Sequence, residues 1–254
     1  MVEWTAQNKH ESDGPASSGQ LVLPFAHARR FTRADFVAAP SNGTARAWLL
    51  GETGWPEHRL ALWGAAGTGK THLLEVWAHE RGAVLLAGRD VCEATVGRLF
   101  GGDIQPPVRA VAVDDADQYA DRRAMLHLLN GAREHAVPVA LAARLSPARW
   151  GVELPDLASR LRATMAVEVR QPEDSLLRIL LLRHLAERQI VVSQPVTDWL
   201  LRRLPRTASS VREAAIRLDH AGLVSGRGVT RAVAMTVLRD MLARDTGPGV
   251  TVAD

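Results

Sequence analysis

Gly64-Ala65-Ala66-Gly67-Thr68-Gly69-Lys70-Thr71 constrains this chain more than any other stretch. It satisfies G-x-x-x-x-G-K-[ST], directly after the apolar run Leu60-Ala61-Leu62-Trp63 and directly before the amphipathic stretch His72-Leu73-Leu74-Glu75-Val76-Trp77. A strand feeding a glycine-rich loop that feeds a helix is a phosphate-binding context. The glycines let the backbone curl, successive N–H groups point inward, and the helix N-terminus favours negative charge. Gly64, Gly67, Thr68 and Gly69 are the expected cradle for a nucleoside triphosphate. Lys70 adds a positive charge for the β- and γ-phosphates, and the Thr71 hydroxyl a ligand for Mg²⁺.

A second chemical signal is Val111-Ala112-Val113-Asp114-Asp115. Two adjacent carboxylates at the end of a buried strand are costly unless a cation meets them. By itself an Asp-Asp pair also suits a turn or a helix cap. About 45 residues after a phosphate loop it gains meaning: Asp114 is expected to hold Mg²⁺, and Asp115 to orient or deprotonate an attacking water.

Strand-like and helix-like segments alternate around these two motifs. Ser41 or Asn42 is expected to cap a helix through Ala45, Trp48 and Leu50, and residues 83–87, 108–113 and 137–143 read as buried strands, with a helix over 121–135. That alternation implies an α/β fold with a parallel sheet covered by helices on both faces, and phosphates bound at the carboxyl ends of the strands. Beyond Arg170 the pattern becomes helical only. Pro172-Glu173-Asp174 opens a helix striped with Leu176, Leu177, Leu180, Leu181 and Leu185, and residues 196–204, 209–223 and 230–243 are similarly periodic. The expected organisation is a leader over 1–19, a short apolar segment over 20–25, a nucleotide-binding domain over 26–170, a small helical lid over 171–244 and a tail over 245–254. Gln20-Leu21-Val22-Leu23-Pro24-Phe25 directly follows the Ser- and Gly-rich leader. Its spacing fits an extended peptide docking on a partner and equally a first strand folded back on the domain.

Charge and composition narrow the class of function. The chain of 254 residues has a net charge of +3, and its basic residues are nearly all arginine, Lys9 and Lys70 being the lysines. Arg202, Arg203 and Arg206 lie near Asp198 and Glu213 in sequence, so a mixed-charge solvated surface is expected, without a nucleic-acid-binding arm. No apolar run suits a membrane span or a secretory signal, and the single cysteine, Cys92, is expected to be a buried or half-buried small side chain. These features point to a cytoplasmic address.

The order of phosphate loop, Asp-Asp strand, further apolar strand, arginine-bearing segment and helical lid resembles an AAA+ module. Phe31-Thr32-Arg33-Ala34-Asp35-Phe36-Val37 with Ser41-Asn42, then Gly69-Lys70-Thr71-His72-Leu73-Leu74, is similar to the nucleotide domain of the bacterial replication initiator DnaA. Ser159-Arg160-Leu161 resembles that family's arginine-finger segment, and Val211-Arg212-Glu213 its sensor 2 motif. The chain stops soon after the lid, too short for a helix-turn-helix DNA reader. It therefore looks like the Hda-type regulatory inactivators of DnaA, whose N-terminal peptide resembles Gln20 to Phe25.

The resemblance implies the following roles. Gln20, Leu21, Leu23, Pro24 and Phe25 would bind the sliding clamp, the β subunit of DNA polymerase III. Arg160, with Arg162 close enough to be confused with it, would act on ATP held by DnaA, while Arg212 would reach this protein's own ADP or ATP. The expected function is negative regulation of replication initiation from a clamp on DNA, at the bacterial nucleoid or replisome. Homo-oligomers are compatible with it; strong sequence-specific DNA binding and membrane partners are not expected. Leu141-Ala142-Ala143-Arg144 lacks the hydroxyl or amide of a sensor 1 group, which implies weak intrinsic turnover. The competing readings are a self-sufficient ATPase that remodels a partner and a recruitment factor that localises one.

Overall fold

The computed structural model describes residues 36–51, 54–101, 107–225 and 229–245. The leader, Gln20 to Phe25, Phe31 to Asp35 and residues 246–254 lie outside them.

The sheet is built from β1 (Arg59–Trp63), β2 (Val84–Ala87), β3 (Val111–Asp114), β4 (Val139–Ala143) and β5 (Met165–Glu168), in the order β2-β3-β4-β1-β5. Every pairing is parallel, with Leu60 opposite Ala140 on one side and Met165 on the other. Central strands buried on both faces must be apolar throughout, which is what Leu60-Ala61-Leu62 and Val139-Ala140-Leu141 provide. β2 is an edge strand with Leu85 exposed, so the expectation that this strand is buried is corrected: pairing on one side alone leaves it open.

Alternate residues divide the core between two faces. Leu60, Leu62, Ala110, Ala112, Ala140 and Ala142 face α1 (Gly43–Leu50) and α2 (Lys70–Arg81). The four alanines leave room for the large side chains of α2, among them the fully buried Trp77. Val111, Val113, Val139 and Leu141 face α3 (Glu93–Phe100), α4 (Arg122–Glu134) and α5 (Pro155–Ala163). Asp121 caps α4 by accepting from the N–H groups of Arg123 and Ala124. Asn42 precedes α1 but does not cap it; its side chain ties back to Ala39 and Val37, which corrects that expectation.

A third core lies among α6 (Asp174–Glu187), α7 (Gln194–Leu201), α8 (Ala208–Ser225) and α9 (Arg231–Asp245). Leu177, Leu181 and Leu185 of the leucine stripe are in it, with Leu200, Val211, Leu218 and Leu238. Cys92 is exposed, 3.2 Å from the Thr95 hydroxyl, which corrects its expected burial: it sits at the N-terminus of α3, on the solvent side of the helix.

Candidate functional site

The phosphate loop leaves β1 at the carboxyl end of the sheet. Its first amide, Gly64 N–H, donates to Ala143 O at 3.3 Å, while Val169 N–H donates to Trp63 O at 2.8 Å, so the loop starts clamped between the ends of β4 and β5. Three glycines are required there. Gly64, Gly67 and Gly69 have φ of 154°, 76° and 98°, the region where a side chain strains the backbone. A Cβ on Gly64 would strike Val169 O, and one on Gly67 would come within 2.6 Å of the Thr207 side chain. Gly69 then ends the loop as the residue before α2, and the first turn of α2 carries no acid to repel an anion.

Lys70 Nζ donates to Gly64 O and Ala65 O at 2.8 Å each, holding the ammonium inside the curl of the loop. Burial lowers its pKa, and Arg144 adds to that, against the opposing pull of Asp114, Asp115 and Asp117. Thr68 is buried and donates to Ala65 O, whereas Thr71 is exposed at the start of α2. Asp114 closes β3 and accepts from the Asp115 N–H at 3.0 Å. Asp115 adopts φ 45°, with Gly88 packed so closely on its carbonyl that a side chain there would collide. This set fits a polyphosphate with a divalent cation: a cradle of backbone that a Cβ would fill, one ammonium, a free hydroxyl and adjacent carboxylates.

The sequence did not single out Asp117, Arg144 and Thr207 as site residues. Asp117 accepts from the Arg144 N–H at 3.0 Å and so fixes the turn after β4; its other oxygen is buried without a partner. Arg144 therefore puts a cation, rather than a hydroxyl or amide, beside the loop. Thr207 lies against Gly67, and the Ala208 N–H donates to Gly67 O at 3.3 Å, so the lid touches the loop. No sequence spacing marks a contact between residues so far apart.

Arg160 is not part of this cluster. It is half-buried on α5, close enough to Arg59 to depress its pKa, and it has no ion pair among the described residues. Arg59 opens β1, so Arg160 stands toward the amino end of the sheet, away from Lys70. Arg162, two residues on, is exposed. Arg212 is half-buried near the start of α8, within electrostatic reach of His184.

Among the described residues no helix is long and apolar enough to cross a membrane, and no group of three or more His, Cys, Asp or Glu residues could hold a metal ion. The parallel sheet in the order β2-β3-β4-β1-β5, with its phosphate loop after β1 and helices on both faces, is a fold shared with domain III of DnaA from Thermotoga maritima at a TM-score of 0.69. That match has 17% identity and covers 83% of this chain and 96% of that domain. The RuvB Holliday junction branch migration motor of the same organism matches at a TM-score of 0.63, with 15% identity over 84% of this chain and 72% of that one. AMPPCP-bound DnaA from Aquifex aeolicus matches at 0.62, with 20% identity over 85% and 70%.

Within that class the sequence likeness is to DnaA. The chromosomal replication initiator protein DnaA of Thermomicrobium roseum is 22% identical over 244 residues, 85% of this chain. The chain spans about half the length of that relative, 50%. No family model matches. The chain is thus similar to DnaA in sequence and shares the fold of DnaA domain III.

Proposed function

We propose that this chain is a regulator of DNA replication initiation that binds ADP or ATP at its own loop and acts on ATP held by DnaA. The observation that carries this reading is Arg160, an arginine without an ion pair among the described residues and remote from the protein's own phosphate loop. A guanidinium so placed meets a triphosphate only if another subunit brings one. An arginine supplied in this way is worth on the order of 10³ to 10⁵ in rate.

In this reading Gly64, Gly67, Thr68, Gly69 and Lys70 hold the resident nucleotide, and Thr71 and Asp114 hold Mg²⁺. Mg²⁺ would neutralise charge between the β- and γ-phosphates. Asp115 orients water, and Arg212 couples the nucleotide to the lid. Ala142 and Ala143 offer no side-chain hydrogen bond to a water, so turnover at this loop is slow and its nucleotide is conformational. Gln20, Leu21, Leu23, Pro24 and Phe25 dock on the sliding clamp, which raises the local concentration near DNA and confines the activity to the replisome in the cytoplasm.

The test is turnover of ATP-loaded DnaA with clamp and DNA present. The unaltered chain should stimulate it, Gln20→Ala should remove the clamp dependence, and Arg160→Ala should abolish the stimulation. Full stimulation by Arg160→Ala would sink the proposal, and fast hydrolysis by the isolated chain would favour a self-sufficient ATPase.

A further inference from the structure

Among the lid arginines, Arg202, Arg203 and Arg231 have no acid paired with them among the described residues. Asp198 and Glu213, their neighbours in sequence, are taken by Arg178 at 2.6 Å and Arg217 at 2.7 Å, and Arg206 pairs with Asp174 at 2.8 Å. Arg202, Arg203 and Arg231 are exposed and make no ion pair among the described residues. Beside these paired charges, Arg203 and Arg231 bring unpaired positive charge together at one place in the lid.

Two of these charges meet on one ring. The Arg203 Cζ stands 4.7 Å from the centroid of Trp199, and the Arg231 Cζ 5.8 Å. Arg203 Nη1 also donates to Trp199 O at 3.5 Å. Arg203 comes from the turn after α7 and Arg231 from the first residue of α9, so the fold brings like charges from two elements to a single half-buried indole. The ring's negative face attracts both guanidinium groups and offsets part of their repulsion. Stacking also limits their rotamers in advance, so less freedom is lost when an anion binds.

We propose that Trp199, Arg202, Arg203 and Arg231 form a docking surface for the phosphodiester backbone of a nucleic acid. Guanidinium forks match phosphate oxygens in pairs, and a strand presents its phosphates at regular short spacing, which suits a fixed cluster of cations. The arginines occupy the indole, so bases do not stack on it and the contact is independent of sequence. The surface is distinct from the phosphate loop and from Arg160, and the inference does not rest on the function proposed above.

Fluorescence anisotropy with the full chain and labelled random-sequence DNA, single-stranded and duplex in parallel, tests this across a salt series. The unaltered chain binds in at least one arm, which identifies the form that supplies the phosphates. Removal of each of Arg202, Arg203 and Arg231 should make the slope of log K against log salt shallower by about one. Arg203→Ala with Arg231→Ala should weaken binding about tenfold at low salt, equally for all sequences. Arg202→Glu, which leaves the Trp199 stack intact, should weaken it further while the melting temperature holds. No binding by the unaltered chain at low salt, unchanged slopes in these variants, or equal competition by polyglutamate would each overturn the proposal.

Discussion

The two ends of β1 are built from opposite chemistry. At the carboxyl end, backbone N–H groups, Lys70 and the carboxylates of Asp114, Asp115 and Asp117 converge, so cation and acids balance each other around a cradle. At the amino end the balance fails. Arg59 is 1% exposed, its Nε and Nη1 have no partner, and its nearest carboxylate, Glu57, is 3.9 Å away and already bound to Arg133 at 3.0 Å. Burial lowers the Arg59 pKa, and Arg160 and Arg133 lower it further against Glu57. One end offers the donors and carboxylates that a phosphate with its cation would need; the other carries an excess of positive charge, with Arg59, Arg133 and Arg160 around the single carboxylate Glu57. In the proposed function, a single strand would separate the place where nucleotide is held from the place where a neighbour's nucleotide is met.

The sharpest test of that separation is Arg160→Ala. It should lower DnaA-coupled turnover by about 10³-fold, while calorimetric affinity for ADP stays unchanged; a parallel loss of ADP affinity would merge the two ends. Lys70→Ala should do the reverse, weakening ADP by roughly 10- to 100-fold through the lost charged hydrogen bonds, with the fold intact. Gly67→Ala combines a left-handed φ with a collision against Thr207, and should cost about 2 kcal/mol, read as a lower melting temperature. Arg59→Met should act in the other direction. Replacing an unsatisfied buried charge with an apolar side chain of similar length should raise stability by about 1 kcal/mol.

The smallest effect lies in the lid. Burial holds the His184 pKa below its ordinary value, against the hydrogen bond it donates to the Glu187 carboxylate. The unfolded chain therefore takes up the proton first, and stability should be full above about pH 6.5 and decline as pH falls below it. His184→Gln should flatten that acid slope in a series of thermal melts.

The sheet and the loop were legible because their signals are local. G-x-x-x-x-G-K-T lies between a run of apolar residues and a helix, and the continuous apolar run over 137–143 predicts the strand found at Val139–Ala143. β5, α3 and α5 were not legible: Met165-Ala166-Val167-Glu168 is only four residues long, and its place beside β1 makes it a strand. The site was read in part. Lys70 lies within electrostatic reach of Asp114 and Asp115, and Asp117 and Arg144 become partners because the Arg144 N–H, in the turn after β4, donates to the Asp117 carboxylate in the turn after β3. Asp198 misled for the same reason. Its neighbours in sequence are Arg202 and Arg203, yet the helical turn aims it across the lid at Arg178.

The seating of Thr207 on Gly67 gives the lid a fulcrum. α8 begins one residue later and runs for 18 residues, a rigid arm of about 27 Å. A tilt of ~10° at the loop would sweep its far end through ~5 Å by that same length. Its packing against α6 and α9 would carry part of that sweep into the rest of the lid. In the proposed function, a nucleotide that nudged the loop in this way would send a displacement the size of a side chain to the far end of α8.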